Sequence, residues 1–90
     1  MSGIIKHLKY VRRKKRLTQA EFGAKLGLPQ SHISRIEQGI TDPRLSTVVE
    51  MAHLLDQELI LVPRAMLPAV RAMISGTNVK KPRWQPDEDD

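Results

Sequence analysis

Residues 17–39 carry the start and stop signals of two short helices joined by a tight turn, and this stretch constrains the fold more than any other. Thr18 and Glu21 have the spacing of a capping box, in which each side chain accepts a hydrogen bond from the other's backbone amide. Gly27 tolerates the positive φ that ends a helix, and Pro29 suits the opening of the next one. Two helices joined this closely form a unit that the major groove of DNA accepts.

Apolar residues recur at helical spacing in both segments. Phe22 and Leu26 lie in the first segment, and Ile33 and Ile36 lie in the second. Gly23 is small enough to let the second helix cross the first closely. Each segment is therefore predicted to bury one face and to present a polar face to solvent or to a ligand.

Further helices are predicted on both sides of this pair. An apolar stripe indicates a first helix over about 4–15, and Ser46 is placed to cap a fourth helix. A short helix is predicted at 67–75, with Gly76 just past its end. The predicted fold class is mostly α, a four- to five-helix domain.

Residues 58–62 form an apolar run of strand-forming residues that ends at a proline. A lone strand leaves its backbone hydrogen bonds unmade, so we expect two copies of the chain to pair these strands in a homodimer. The expected dimerisation residues are Leu59, Ile60, Leu61 and Val62. The predicted domain covers 1–76, and 77–90, with two prolines and runs of like charge, is predicted to be a flexible tail.

The charge of the chain is distributed unevenly. The net charge is +5, but four of the ten acidic residues lie at 87–90, and residues 1–16 contain seven basic residues and no acidic one. Such a surface attracts phosphate groups. Since the sequence has no cysteine, no apolar run of about 18 residues and no secretory signal, we expect a cytoplasmic protein, associated with the bacterial nucleoid when bound to DNA.

The central motif resembles the helix-turn-helix of the lambda-repressor/Cro-like, or XRE, family over about half the chain. The residues at the family's spacings are Arg12, Leu17, Thr18, Gln19, Phe22, Gly27, Ile33, Ser34, Ile36, Glu37, Gly39 and Pro43. Two positions depart from the family pattern. Gly23 stands where alanine is usual, at a helix-propensity cost of up to about 1 kcal/mol, and Arg16 stands where glycine is common.

The outward face of the second helix holds the residues expected to contact bases, which are Gln30, Ser31, Ser34 and Arg35. Glutamine can pair bidentately with adenine, whereas serine is indiscriminate. Arg35 can either bind guanine or hold a phosphate, and the sequence does not choose between the two.

A second group of residues is expected to contact the DNA backbone. Its members are Arg13, Lys14, Lys15, Arg16, Gln19, His32 and Arg44. Gln19 opens a helix, where an amide side chain is well placed for a phosphate oxygen, and the family resemblance implies the same contact. For Gln19, the basic run and His32, the alternative is an ordinary solvated surface, and the basic run could also be an intracellular address.

The resemblance also implies a structural ion pair between Arg12 and Glu37. This pair would join the helix predicted at 4–15 to the end of the second helix of the central motif, which is the family's recognition helix. A buried pair of this kind is costly to break from one side, by roughly 3–5 kcal/mol.

Catalytic patterns are missing from the sequence. His7, His32 and His53 have no metal-ligand spacing, and there is no glycine-rich phosphate loop and no nucleophile elbow. We therefore expect no enzymatic activity, no metal and no cofactor.

The order of elements along the whole chain resembles HipB-like antitoxins. This resemblance implies a homodimeric transcriptional repressor that binds an inverted-repeat operator in double-stranded DNA, autoregulates its operon in a type II toxin–antitoxin system and neutralises a HipA-like kinase toxin. Trp84 in the tail is the expected partner-binding residue, unless it folds back onto the domain itself. The alternative is a stand-alone phage-type or metabolic regulator without a toxin partner.

Overall fold

The computed structural model describes residues 2–78, and this part of the chain is mostly helical, as expected. Its five α-helices are α1 (Ser2–Lys14), α2 (Gln19–Leu26), α3 (Gln30–Glu37), α4 (Leu45–Leu54) and α5 (Leu67–Asn78), and a 3₁₀ turn at Arg64–Met66 precedes α5. Residues 2–78 divide into two compact units, one over 2–59 and one over 60–78. No helix within residues 2–78 is long and apolar enough to cross a membrane.

The first unit is built on a core contributed by α1 to α4. Its buried apolar residues are Ile5, Leu8, Phe22, Ile33, Ile36, Val48, Met51, Ala52 and Leu55. Phe22 from α2 and Ile33 from α3 are both fully buried, and the two helices pack on each other more extensively than any other pair in the described chain. Burial of side chains this large stabilises the helix pair by several kcal/mol, so the core fixes how α3 is presented.

The capping box predicted for α2 is present. The Thr18 hydroxyl accepts a hydrogen bond from the Glu21 amide at 3.0 Å, and the Glu21 carboxylate accepts one from the Thr18 amide at 2.8 Å. The backbone hydrogen bond from Thr18, with a smaller contribution from its hydroxyl, lowers the pKa of Glu21 below its usual 4.5.

Helices α2 and α3 end in a Schellman motif closed by glycine. In α2, the Leu28 amide donates to the Gly23 carbonyl at 2.8 Å, and Gly27 adopts a φ of +72°. In α3, Gly39 occupies the equivalent position with a φ of +80°, and the Ile40 amide closes the motif. The two glycines identified in the sequence therefore end the two helices.

Helices α1 and α4 end in the same motif without glycine. Arg16 has a φ of 60° and Asp56 a φ of 58°, although a left-handed conformation costs a residue with a Cβ about 1–2 kcal/mol. Lys15, next to Arg16, donates to the Asp56 carboxylate at 2.9 Å. This ion pair joins the ends of α1 and α4.

Several predicted boundaries were wrong. Helix α1 begins two residues before the predicted start and ends one residue before the predicted end. Ser46 is not the cap of α4, because the extended residue at its start is Arg44, which makes no side-chain capping bond. Gly76 lies inside α5 rather than past its end; glycine is unfavourable in a helix but stops it only when it adopts a left-handed conformation.

Residues 58–62 form no strand, and the part of the chain that the structure describes contains none. The reason is that a strand requires a partner with which to exchange backbone hydrogen bonds, and the single chain offers none. Leu59 packs against the core, whereas Ile60 and Leu61 are 65% and 100% exposed. The predicted tail begins with the last two residues of α5, and its remainder, including Trp84, lies outside the described residues.

Candidate nucleic-acid interface

Helix α3 presents a polar face opposite its buried isoleucines. Gln30, Ser31 and Arg35 are exposed, and Ser34 is half-buried. All four residues expected to contact bases therefore lie on the one helix, with their polar groups directed away from the core side chains at 33 and 36. The face is eight residues long, or about 12 Å, which suits insertion into a major groove.

A chain of hydrogen bonds runs from the interior to the first residue of α3. Arg12 binds both oxygens of Glu37, at 2.7 and 3.0 Å. Gln19 donates to Glu37 Oε1 at 2.9 Å, and Gln30 donates to Gln19 Oε1 at 2.6 Å. These four residues connect α1, α2 and both ends of α3.

The carboxylate at the inner end fixes the polarity of this chain. Glu37 only accepts hydrogen bonds, so Gln19 must direct its Nε2 inward and its Oε1 toward Gln30. Gln30 in turn must donate its own Nε2 to that oxygen. Within residues 2–78 the Oε1 and the second N–H of Gln30 make no hydrogen bond, and this acceptor and donor pair matches the N6 and N7 groups of adenine.

The ion pair at the base of this network is buried. The side chains of Arg12 and Glu37 are 8% and 2% exposed, and Arg12 Nη1 also donates to the Leu17 carbonyl at 2.6 Å. Removal of either partner would leave a desolvated charge without its counter-ion. The structure brings together the pair that the family resemblance implied, and places it behind the candidate interface rather than within it.

Two contacts at the far end of α3 were missed by the sequence analysis. Gln38 donates to Ser34 Oγ at 2.8 Å, and Arg35 Nε donates to Thr41 Oγ1 at 3.3 Å. The first pair has the i, i+4 spacing that could have indicated it. The second spans the reversal at Gly39, and no short-range signal predicts it.

The basic residues at the end of α1 are exposed but not equivalent. Lys14 lies 5.7 Å from the centre of the Tyr10 ring, close enough for a cation–π contact. Lys15 is already bound to an acidic side chain, Asp56, whereas Arg13 and Arg16 make no side-chain hydrogen bond within residues 2–78. Arg13 and Lys14 also line an open basic groove along α1, so the unpaired positive charge of this segment is concentrated on them and on Arg16.

The two remaining expected backbone contacts are His32, near the start of α3, and Arg44, at the start of α4. Arg44 is exposed and precedes α4, whose first backbone amides have no side-chain cap. His32 is half-buried in α3, and its ring makes no hydrogen bond within the described residues. No cluster of three or more metal-binding side chains is found among residues 2–78.

Comparison with known proteins places this geometry in a family. A helix-turn-helix family model matches residues 8–61, which contain the second half of α1, all of α2 to α4 and residues 58–61 of the apolar segment after them. An uncharacterized HTH-type transcriptional regulator named y4dL, from Sinorhizobium fredii (strain NBRC 101917 / NGR234), is 37% identical over 75 residues. The match covers 83% of this chain but only 38% of the length of that relative. No solved structure matches the chain.

Proposed function

The chain belongs to the XRE family of helix-turn-helix proteins, and we propose that it is a sequence-specific transcriptional repressor whose α3 reads bases in the major groove. The observation that carries this proposal is the exposed end of the buried network, where Gln30 offers one acceptor and one donor in a fixed orientation. Ser31, Ser34 and Arg35 complete the reading face. A side chain held in place before binding loses less conformational entropy when it meets a base.

Phosphate contacts on both sides of α3 would set the register of the protein on DNA. Gln19 keeps one N–H beyond the one that binds Glu37 and lies at the start of α2, where backbone amides also favour an anion. Arg13 and Lys14 in α1 and Arg16 just after it supply positive charge. Contacts of this kind raise the affinity for all DNA sequences and make it depend on salt.

We propose that the operator is bound by a homodimer. Ile60 and Leu61 expose large apolar side chains directly after the first unit, and pairing of residues 59–62 with the same segment of a second copy would cover them and satisfy their backbone groups. The two-fold axis would place two recognition helices about 34–36 Å apart, on successive major grooves. Occupation of a promoter by this dimer would block transcription.

Selection from a pool of random-sequence duplexes tests this proposal and identifies the operator at the same time. We expect the purified protein to enrich an inverted repeat whose half-sites are about one helical turn apart, or about 10–10.5 base pairs. Enrichment of a single half-site would contradict the dimer, and enrichment of no sequence would contradict base reading by α3.

We further propose that the repressor is the antitoxin of a type II toxin–antitoxin system and binds a HipA-like kinase toxin through its tail. The support is the order of elements in the sequence, where a helix-turn-helix, an apolar segment and a short helix precede a tail with one tryptophan, Trp84. A buried tryptophan is a frequent anchor of protein interfaces. The alternative is a stand-alone regulator, which needs no such anchor.

Affinity purification from the native cell distinguishes these two roles. Under the antitoxin proposal, a kinase-like protein co-purifies in stoichiometric amount with the wild-type chain and is lost with the Trp84→Ala variant. Recovery of the homodimer and promoter DNA alone, unchanged by the substitution, would assign the stand-alone role. DNA affinity serves as the control, because Trp84 lies far in sequence from the recognition helix.

A further inference from the structure

We infer that Thr41 is a positioning residue for base recognition, because it directs the Arg35 guanidinium so that its two terminal nitrogens face a guanine. This inference rests on the proposed function, since it assigns a base and a supporting residue to the same reading face. Thr41 lies outside α3, in the loop that leads to α4, and none of the expected DNA contacts includes it.

The loop after α3 folds back onto Arg35 through its backbone. The Ile40 and Thr41 amides both donate to the Arg35 carbonyl, at 2.9 and 3.3 Å. The positive φ of Gly39 makes this reversal possible. As a result, the side chain six residues after Arg35 in sequence lies next to it in space.

The side-chain contact then restrains the guanidinium. Arg35 Nε donates to Thr41 Oγ1 at 3.3 Å. Thr41 is half-buried and β-branched, so its hydroxyl is restricted to few positions. Arg35 itself is exposed and forms no ion pair among the described residues, so its charge remains available to a ligand.

Occupation of Nε decides which edge of the guanidinium can bind. An arginine can pair side-on through Nε and one Nη, or end-on through both Nη atoms. With Nε held by Thr41, the end-on pair remains, and its two parallel donors match the O6 and N7 acceptors of guanine. Adenine and thymine each present only one acceptor at this edge, so the held conformation favours guanine over both.

This geometry resolves the choice that the sequence left open. A phosphate accepts hydrogen bonds from many directions and gains little from a fixed fork, whereas a base edge requires one orientation. Without the Thr41 hydroxyl, Arg35 would rotate among its rotamers and retain its charge. Its contribution to non-specific affinity would then persist while its preference for one base declined.

The test compares base preference in matched variants. An operator is first selected from random duplexes with the wild-type protein, and Arg35→Ala identifies the base pair that this side chain reads. Thr41→Val removes the hydroxyl at nearly constant volume, and Thr41→Ser retains it. Thr47→Val makes the same chemical change in α4, at a half-buried threonine with no side-chain hydrogen bond in the described chain.

We expect the wild-type protein to prefer guanine at that base pair by roughly 5- to 150-fold over the other bases. Thr41→Val should lower this preference by at least about threefold, through loss of one of the restraints on a bidentate contact, and leave the affinity for random DNA unchanged. Thr47→Val should behave as wild type, and Thr41→Ser, which keeps the hydroxyl but not the β-branch, should retain most of the guanine preference. Thermal unfolding of all four variants separates a loss of base preference from a loss of fold.

Three results would overturn the inference. If Thr41→Val retained the full guanine preference, Thr41 would not position Arg35. If Arg35→Ala weakened binding to all sequences alike, Arg35 would hold a phosphate. If the wild-type protein selected no sequence, the proposed function would fail together with the inference. Under the first two results only the inference fails, and the proposed function stands.

Discussion

Arg16 combines an unfavourable left-handed backbone conformation with an exposed positive charge. It occupies the left-handed position that ends α1, with a φ of 60°, where its Cβ is unfavourable. Glycine would relieve that strain but would remove one of the exposed positive charges next to the helix-turn-helix. A phosphate contact by Arg16, as proposed above, would offset this strain when DNA is bound.

Substitution of Arg16 by glycine and by alanine separates conformation from charge. Both variants lose the cation, so both should reduce the slope of log affinity against log salt by about one unit. Only glycine relieves the backbone strain, so Arg16→Gly should exceed Arg16→Ala in free energy of unfolding by about 1 kcal/mol. Urea denaturation and a salt titration measure the two effects. Equal stability of the variants would show that the left-handed backbone carries no strain.

Glu37 is a second residue whose effect on DNA binding would be indirect. Glu37→Ala would leave the buried Arg12 guanidinium without its counter-ion, and we expect a loss of roughly 3–5 kcal/mol in the free energy of unfolding. The double variant Arg12→Met, Glu37→Leu should recover most of this loss, because it removes both charges. Denaturant titration gives both values. A loss below about 1 kcal/mol for the single variant would contradict a buried pair.

Among the helices, the contact between α2 and α3 depends on Gly23. A Cβ at this position would press against the carbonyl oxygen of Leu28 and lie 3.2 Å from Ile33 Cγ1. The Leu28 carbonyl is backbone and belongs to the turn that orients α3, so it cannot move without moving the recognition helix. Helix propensity alone predicts that alanine would be more stable than glycine here. That prediction leaves out the clash with the Leu28 carbonyl, which has the larger effect on stability.

Gly23→Ala should fail to stabilise the protein. The gain of about 1 kcal/mol in helix propensity is opposed by overpacking of about 1–3 kcal/mol, so the free energy of unfolding should fall by up to about 2 kcal/mol. Gly3→Ala in α1 is the matched control, because an added Cβ there meets no atom within 4 Å. Denaturation of both variants tests this. A clear stabilisation by Gly23→Ala would show that the turn can move aside.

The capping box of α2 gives the stability a defined dependence on pH. Because folding lowers the pKa of Glu21 below its usual 4.5, its contribution is present above that pH and is lost as the pH falls through the lower folded value. Glu21→Gln preserves the hydrogen bonds but cannot titrate. The melting temperature of this variant should therefore decline less than that of wild type between about pH 5 and pH 3. Parallel declines would contradict the assignment.

Short-range patterns in the sequence were sufficient to predict the helices around the candidate interface. The capping box at Thr18, the helix ends at Gly27 and Gly39, and the apolar faces of α2 and α3 each depend on residues within about one or two turns of each other. The contacts of Gln30 and Arg35 depend instead on how α2 crosses α3 and how the chain returns after α3. Those features arise from packing of the whole unit, and no spacing in the sequence encodes them.

Under the proposed function, affinity and specificity would arise from different regions of the protein. The basic end of α1 would provide charge that binds any DNA, and the face of α3 would provide donors and acceptors that distinguish bases. The buried network from Arg12 to Gln30 joins these two regions and fixes the outermost side chain. Pairing of two copies would double both contributions along an inverted repeat.

The most direct test of this separation between affinity and base specificity is the ratio of operator affinity to random-DNA affinity for Gln30→Ala at fixed salt. We predict a loss of about 1–3 kcal/mol on the selected operator, confined to one base pair per half-site, with random-DNA affinity unchanged. Lys14→Ala is the contrasting control and should weaken both DNAs equally. If Gln30→Ala also weakened both equally, Gln30 would not read a base, and the proposed orientation of α3 on DNA would be wrong.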